Sequence, residues 1–108
     1  MTRGDIVTVA AGGGFGGKPR PALVLQSDDY PTDTAVLALI TSTLTPAETI
    51  RPRVVPDAAN GLLQLSDVMI DILVTVRREK VGAVIGHLSD EDIGRVERSL
   101  LIFLGMAD

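Results

Sequence analysis

Apolar residues along this chain come in short runs divided by polar, proline or glycine punctuation, a rhythm that predicts strands rather than long helices. Ile6-Val7-Thr8-Val9 predicts a first strand, entered through Arg3-Gly4-Asp5 and ended by glycines. Residues 21–26 predict a second strand. Asp28 to Asp33 is a polar turn, and Ala35 to Thr41 is a buried strand, too short and too β-branched for a helix. Ser42 to Ala47 predicts a loop. Thr49 to Val55 alternates as an edge strand would, with Pro52 unable to donate to a central ladder. After a turn over Pro56 to Gly61, Val68 to Val76 predicts a strand broken near Asp71, Arg77 to Lys80 a charged connection, and Val84 to Leu88 one more strand.

The period then changes. Ser89 is placed to cap a helix, Asp90, Glu91 and Asp92 fill its first turn where acids suit the dipole, and Gly105 ends it. Ile93, Val96, Leu100, Phe103 and Leu104 fall on one face. Short strands followed by one amphipathic helix predict a mainly β chain, a small and strongly curved antiparallel barrel with the helix packed against it. At 108 residues and 45% hydrophobic content, one domain spanning 1–108 is expected.

Composition narrows the chemistry. The absence of cysteine excludes disulfides and thiolate zinc sites, and a lone histidine, His87, excludes a multi-histidine metal cluster, so catalysis without a metal or cofactor is expected. No run approaches the length needed to cross a bilayer, and the N-terminus lacks a secretory pattern, so a cytoplasmic protein without a membrane partner is expected. A net charge of −4 disfavours broad binding to a phosphate backbone but leaves room for a local basic site. Phe15, Tyr30 and Phe103 are too few to make a stacking platform.

Arg20 stands out among the charged residues. Pro19 and Pro21 restrict its backbone, and Gly12 to Gly17 before Lys18 would let a large ligand approach. A guanidinium mounted in this way suits a phosphate. Gly12, Gly14 and Gly17 also satisfy G-x-G-x-x-G, but the pattern binds nucleotides only when a helix follows, and here prolines and a strand follow. Arg3-Gly4-Asp5 is ordinary turn chemistry before a strand, and His87 reads as a structural or surface residue. Thr41, Ser42 and Thr43 at a strand end would either cap backbone groups or line a site. Arg51 and Arg53 share one side of a strand, either joining Arg20 and Lys18 in a basic groove or forming a solvated edge.

Taken together, Arg3-Gly4-Asp5-Ile6-Val7, the run from Gly17-Lys18-Pro19-Arg20-Pro21 to Asp28, and Leu39-Ile40-Thr41-Ser42 resemble the MazF/PemK toxins of type II toxin–antitoxin systems. The similarity continues through Ser66 to Asp71 and the terminal helix. It implies an SH3-like barrel of the PemK/CcdB kind that dimerises, cleaves single-stranded RNA at a short motif without a metal, and is silenced by an antitoxin. By position, Arg20 resembles the catalytic arginine and Thr41 its hydroxyl partner. Lys18, Ser42, Thr43, Arg51 and Arg53 would then contact RNA, and Gly14, Phe15, Gly16 and Gly17 would lie over the site.

The chemistry so implied is attack of a ribose 2′-hydroxyl on the adjacent phosphorus, leaving 2′,3′-cyclic phosphate and 5′-hydroxyl ends. Thr8, Asp67 and Ile72 depart from the resemblance, standing where an aromatic residue, a glutamine and a basic or polar residue are expected. Either the acid or the apolar group could weaken phosphate contacts. A CcdB-like gyrase poison and a degenerate barrel that only binds its antitoxin are the competing functions.

Overall fold

The computed structural model describes residues 1–10 and 18–108. Strands β1 (Asp5–Val9), β2 (Arg20–Val24), β3 (Thr34–Thr41), β4 (Arg53–Val54), β5 (Ser66–Arg77) and β6 (Val81–His87) precede helix α1 (Asp90–Phe103). The six strands form one antiparallel sheet in the order β4-β5-β3-β2-β1-β6. The mainly β architecture with a C-terminal helix is thus present, as a curled sheet whose edge strands are not laddered to each other. The segment leaving β4 reaches the other edge, where the Ala59 carbonyl accepts from His87 N–H at 2.9 Å.

The strands carry apolar residues on both faces because both faces are covered. Ile6, Leu23, Ala38, Ile40, Val68 and Ile70 pack with Val54, Leu62, Leu88 and Val96 of the helix. Val7, Val9, Ala22, Val24, Leu37, Leu39 and Met69 form a separate cluster, flanked by Ile72, Val74, Val76 and Val81. Alternation along each strand therefore distributes residues between two cores, and the sequence shows nearly continuous apolar runs.

β5 bends where a break was expected. It is continuous over 12 residues, but its pairing with β3 shifts from Ala38↔Leu73 to Ile40↔Val68. Met69 to Ile72 thus stand opposite Leu39 alone, an irregularity that strengthens the curl. The expected edge strand over 49–55 contracts to Arg53–Val54. Pro52 lacks an N–H, yet the carbonyls of Ile50 and Pro52 still accept from Ile70 and Val68 N–H at 3.0 Å.

The second strand ends at Val24, the charged connection after Arg77 is a 3-10 turn over Arg78–Lys80, and β6 begins three residues before the expected Val84, at Val81. Gly82 hides that start from an apolar pattern: a side chain there would collide with the Thr8 hydroxyl, which instead accepts from Ala83 N–H at 3.1 Å. In α1, the Ser89 hydroxyl accepts from Asp92 N–H at 3.1 Å. Gly105, at φ +74°, ends the helix, with Met106 N–H closing onto the Leu101 carbonyl. Val96 and Ser99 are buried, while Phe103 and Leu104 are exposed, so the packed stripe is shorter than expected at its C-terminal end.

Candidate active site

A groove of about 370 Å³ opens at the end of the sheet where the start of β2, the end of β3 and the start of β5 meet. Antiparallel pairing makes this junction. The β2/β3 register runs Val24↔Leu37, Leu23↔Ala38, Ala22↔Leu39, and its continuation sets Arg20 across from Thr41. Both residues line the groove, along with Pro19, Pro21 and Ser42. The flanking prolines leave Arg20 at the strand entrance, exposed, with its guanidinium free of any hydrogen bond or ion pair among the described residues.

Thr41 is oriented by its own loop. Its hydroxyl oxygen accepts from Thr43 N–H at 3.0 Å, which leaves the hydroxyl proton available to a ligand. Thr43 thus serves the site through its backbone and does not itself line the groove, nor does Lys18. The expected loop residues Gly14, Phe15, Gly16 and Gly17 lie outside the described residues.

Arg51 and Arg53 are not brought into this groove; each is engaged by a carboxylate of β5. Arg51 holds Asp71 bidentately at 3.0 and 2.9 Å. Arg53 meets Asp67 at 2.9 Å and donates to the Thr45 carbonyl, while Asp67 accepts from Thr45 N–H at 2.9 Å. Hydrogen bonding to Asp71 raises the Arg51 pKa against the opposing effect of desolvation, and the same contact holds the Asp71 carboxyl below its usual range. Burial alone would raise the Asp67 pKa, but Arg53 and the Thr45 amide outweigh it and lower the value. His87 is a structural residue, its Nδ1 2.8 Å from Asp5, joining the ends of β1 and β6.

Sequence reasoning missed the opposite wall. Gly61, Leu62, Leu63, Gln64 and Ser66 complete the groove together with Ile85 and Thr8. The available signal was Asn60-Gly61, a strong turn pair, followed by adjacent leucines that no strand alternation can bury together. Among the described residues, no three His, Asp or Glu side chains are grouped to hold a metal ion.

Over residues 2–104 the chain matches the family described as PemK-like, MazF-like toxin of type II toxin-antitoxin system. The chain belongs to this toxin family. A protein of Mycolicibacterium smegmatis named probable endoribonuclease MazF is 42% identical over 108 residues, covering 99% of each chain. Among solved structures, the Mycobacterium tuberculosis toxin MazF-mt6 superimposes with a TM-score of 0.79 at 25% identity, over 94% of this chain and 96% of that one. An endoribonuclease in complex with its cognate antitoxin, from a mycobacterial species, gives a TM-score of 0.81 at 17% identity, over 100% and 98% of the two chains, a likeness of fold.

The expectation that Asp67 and Ile72 weaken phosphate contacts in this PemK/MazF-type toxin is revised by their placement. Asp67 is fully buried and neutralised by Arg53, and Ile72 packs against the second apolar cluster. Neither lines the groove.

Proposed function

We propose that this toxin is an endoribonuclease that cleaves single-stranded RNA at a short motif, by transesterification in the groove between Arg20 and Thr41. The observation that carries this reading is a guanidinium without a counter-ion among the described residues, in one groove with a hydroxyl whose oxygen already accepts from a backbone amide. The 2′-hydroxyl attacks phosphorus, the bond to the 5′ oxygen breaks, and that oxygen leaves with a proton as the cyclic phosphate forms. Arg20 stabilises the charge that grows on the phosphoryl oxygens, and Thr41 donates a hydrogen bond to one of them. Ser42, beside Thr41 on the same wall, adds a further hydroxyl. Lys18 lies just before the groove and attracts the flanking phosphate.

A step of this kind needs charge stabilisation and alignment, which these residues supply without a metal or cofactor. Membership of the family supports a cytoplasmic homodimer held inactive by a cognate antitoxin, an acidic segment that folds over Arg20. The test is incubation of purified protein with a long RNA in EDTA, followed by analysis of both new ends. Cyclic phosphate and 5′-hydroxyl ends are expected. Intact RNA, or cleavage that stops on chelation, would overturn the proposal, and gyrase-dependent DNA breaks would favour a gyrase poison.

A further inference from the structure

The two walls of the groove are unlike. Arg20, Thr41 and Ser42 form a charged and polar wall, whereas the segment 61–64 and Ile85 form one that is largely aliphatic. Leu63 is 95% exposed at the lip, the most exposed of the large apolar side chains among the described residues. Beside it Gln64, exposed, also lines the groove; its backbone carbonyl accepts from the Ser66 hydroxyl, and its side-chain amide has no hydrogen-bond partner among the described residues.

This lip is held firmly from behind. The buried Asn60 side chain accepts from the N–H groups of Asp57 and Leu62, each at 3.0 Å, and donates to the Val55 carbonyl at 2.9 Å. Gly61 adopts φ +68°, and a side chain there would strike the Ile85 carbonyl. A side chain on Gly86 would in turn strike the backbone of Asn60. Backbone therefore packs on backbone between this turn and β6, which holds in place the backbone from which Leu63 and Gln64 project.

The geometry points to a nucleobase subsite on this wall, in which a base next to the scissile phosphate lies on Leu63 and Ile85 and its Watson–Crick edge is read by the Gln64 amide. The inference rests on the ribonuclease reading above and names the part of the substrate that the other wall receives. A base has apolar faces and a polar edge, matching an aliphatic wall with one unpaired amide, whereas the phosphate is satisfied by Arg20 opposite. No aromatic side chain lines the described groove, so the base rests on aliphatic carbon. Single-stranded RNA is read by this combination of a packed face and a hydrogen-bonded edge.

An amide offers both a donor and an acceptor, but a carboxylate at position 64 would offer acceptors alone. Gln64→Glu should therefore favour guanine, whose N1–H and N2–H groups present adjacent donors. The experiment maps cut sites on a long RNA for wild type, Gln64→Ala and Gln64→Glu. In parallel, each protein selects from a randomised pool of 2′-O-methyl RNA, which lacks the free nucleophile and cannot be cut.

Wild type should select one base at a position adjoining the cleaved bond. Gln64→Ala should reduce that preference, and that one alone, by about tenfold. Gln64→Glu should shift it toward guanine in both assays. Variants that lower all sites evenly, or that select the wild-type base, overturn the subsite; so does wild type selecting no base at all. Selection by wild type without cleavage of ordinary RNA would sink the ribonuclease reading while leaving the subsite standing.

Discussion

Counter-ions separate the arginines of this chain into different uses. Arg3, Arg51, Arg53 and Arg95 each meet a carboxylate, through Glu97, Asp71, Asp67 and Asp92. Arg20 meets none among the described residues while lining the groove, so its field is directed at whatever enters. The groove contains no carboxylate or imidazole among its described lining, and residues 11–17 contribute no titratable side chain by sequence. In the proposed transesterification, with no group in the described groove available to titrate near neutrality as a general base, the 2′-hydroxyl proton would pass to solvent. Single-turnover cleavage should accordingly rise by about tenfold per pH unit from about pH 6 to about pH 8.5, without the bell shape of a paired acid and base. A maximum near neutrality would show that a titrating side chain takes part.

At the scale of elements, the loop after β3 is placed by the buried Asp67 on β5. Asp67→Ala removes the partner of Arg53 and the acceptor of the Thr45 amide, so the melting temperature should fall by several degrees. An unchanged melting curve would mean that the pair is dispensable. Strand positions and the capped helix were legible because alternation, turn residues and the Ser89 cap are local signals. The bend of β5 was legible only as an interruption at Asp71, since a bulge depends on the partner strand. Arg20 and Thr41 could be singled out from their settings and from the family resemblance. The pairing of Arg51 and Arg53 with Asp71 and Asp67 could not, because residues 14 to 20 positions apart meet only through the sheet. The 61–64 wall was hidden for the same reason.

Over the whole molecule, the carboxylates of Asp5, Asp67 and Asp71 all have pKa values held below their usual range. For Asp5, burial opposes the charge, but hydrogen bonds from His87 and Thr2 prevail. A depressed folded-state pKa contributes stability that is complete above the unfolded value and is lost as the pH falls toward the folded one. The urea midpoint should thus decline below about pH 4, and Asp71→Asn should make the decline shallower. A midpoint that holds constant into stronger acid would contradict this assignment.

The net charge is −4, and Arg20 is the one cation that lines the groove among the described residues, so affinity for RNA should rest on a small number of phosphates rather than on overall charge. The most direct test of the account is the single-turnover cleavage rate of Arg20→Ala beside that of Arg51→Ala, with folding of both checked by circular dichroism. Arg20→Ala should lose on the order of a hundredfold or more while Arg51→Ala stays within a few-fold of wild type. Equal losses in the two, or a folded Arg20→Ala that cuts as fast as wild type, would contradict it.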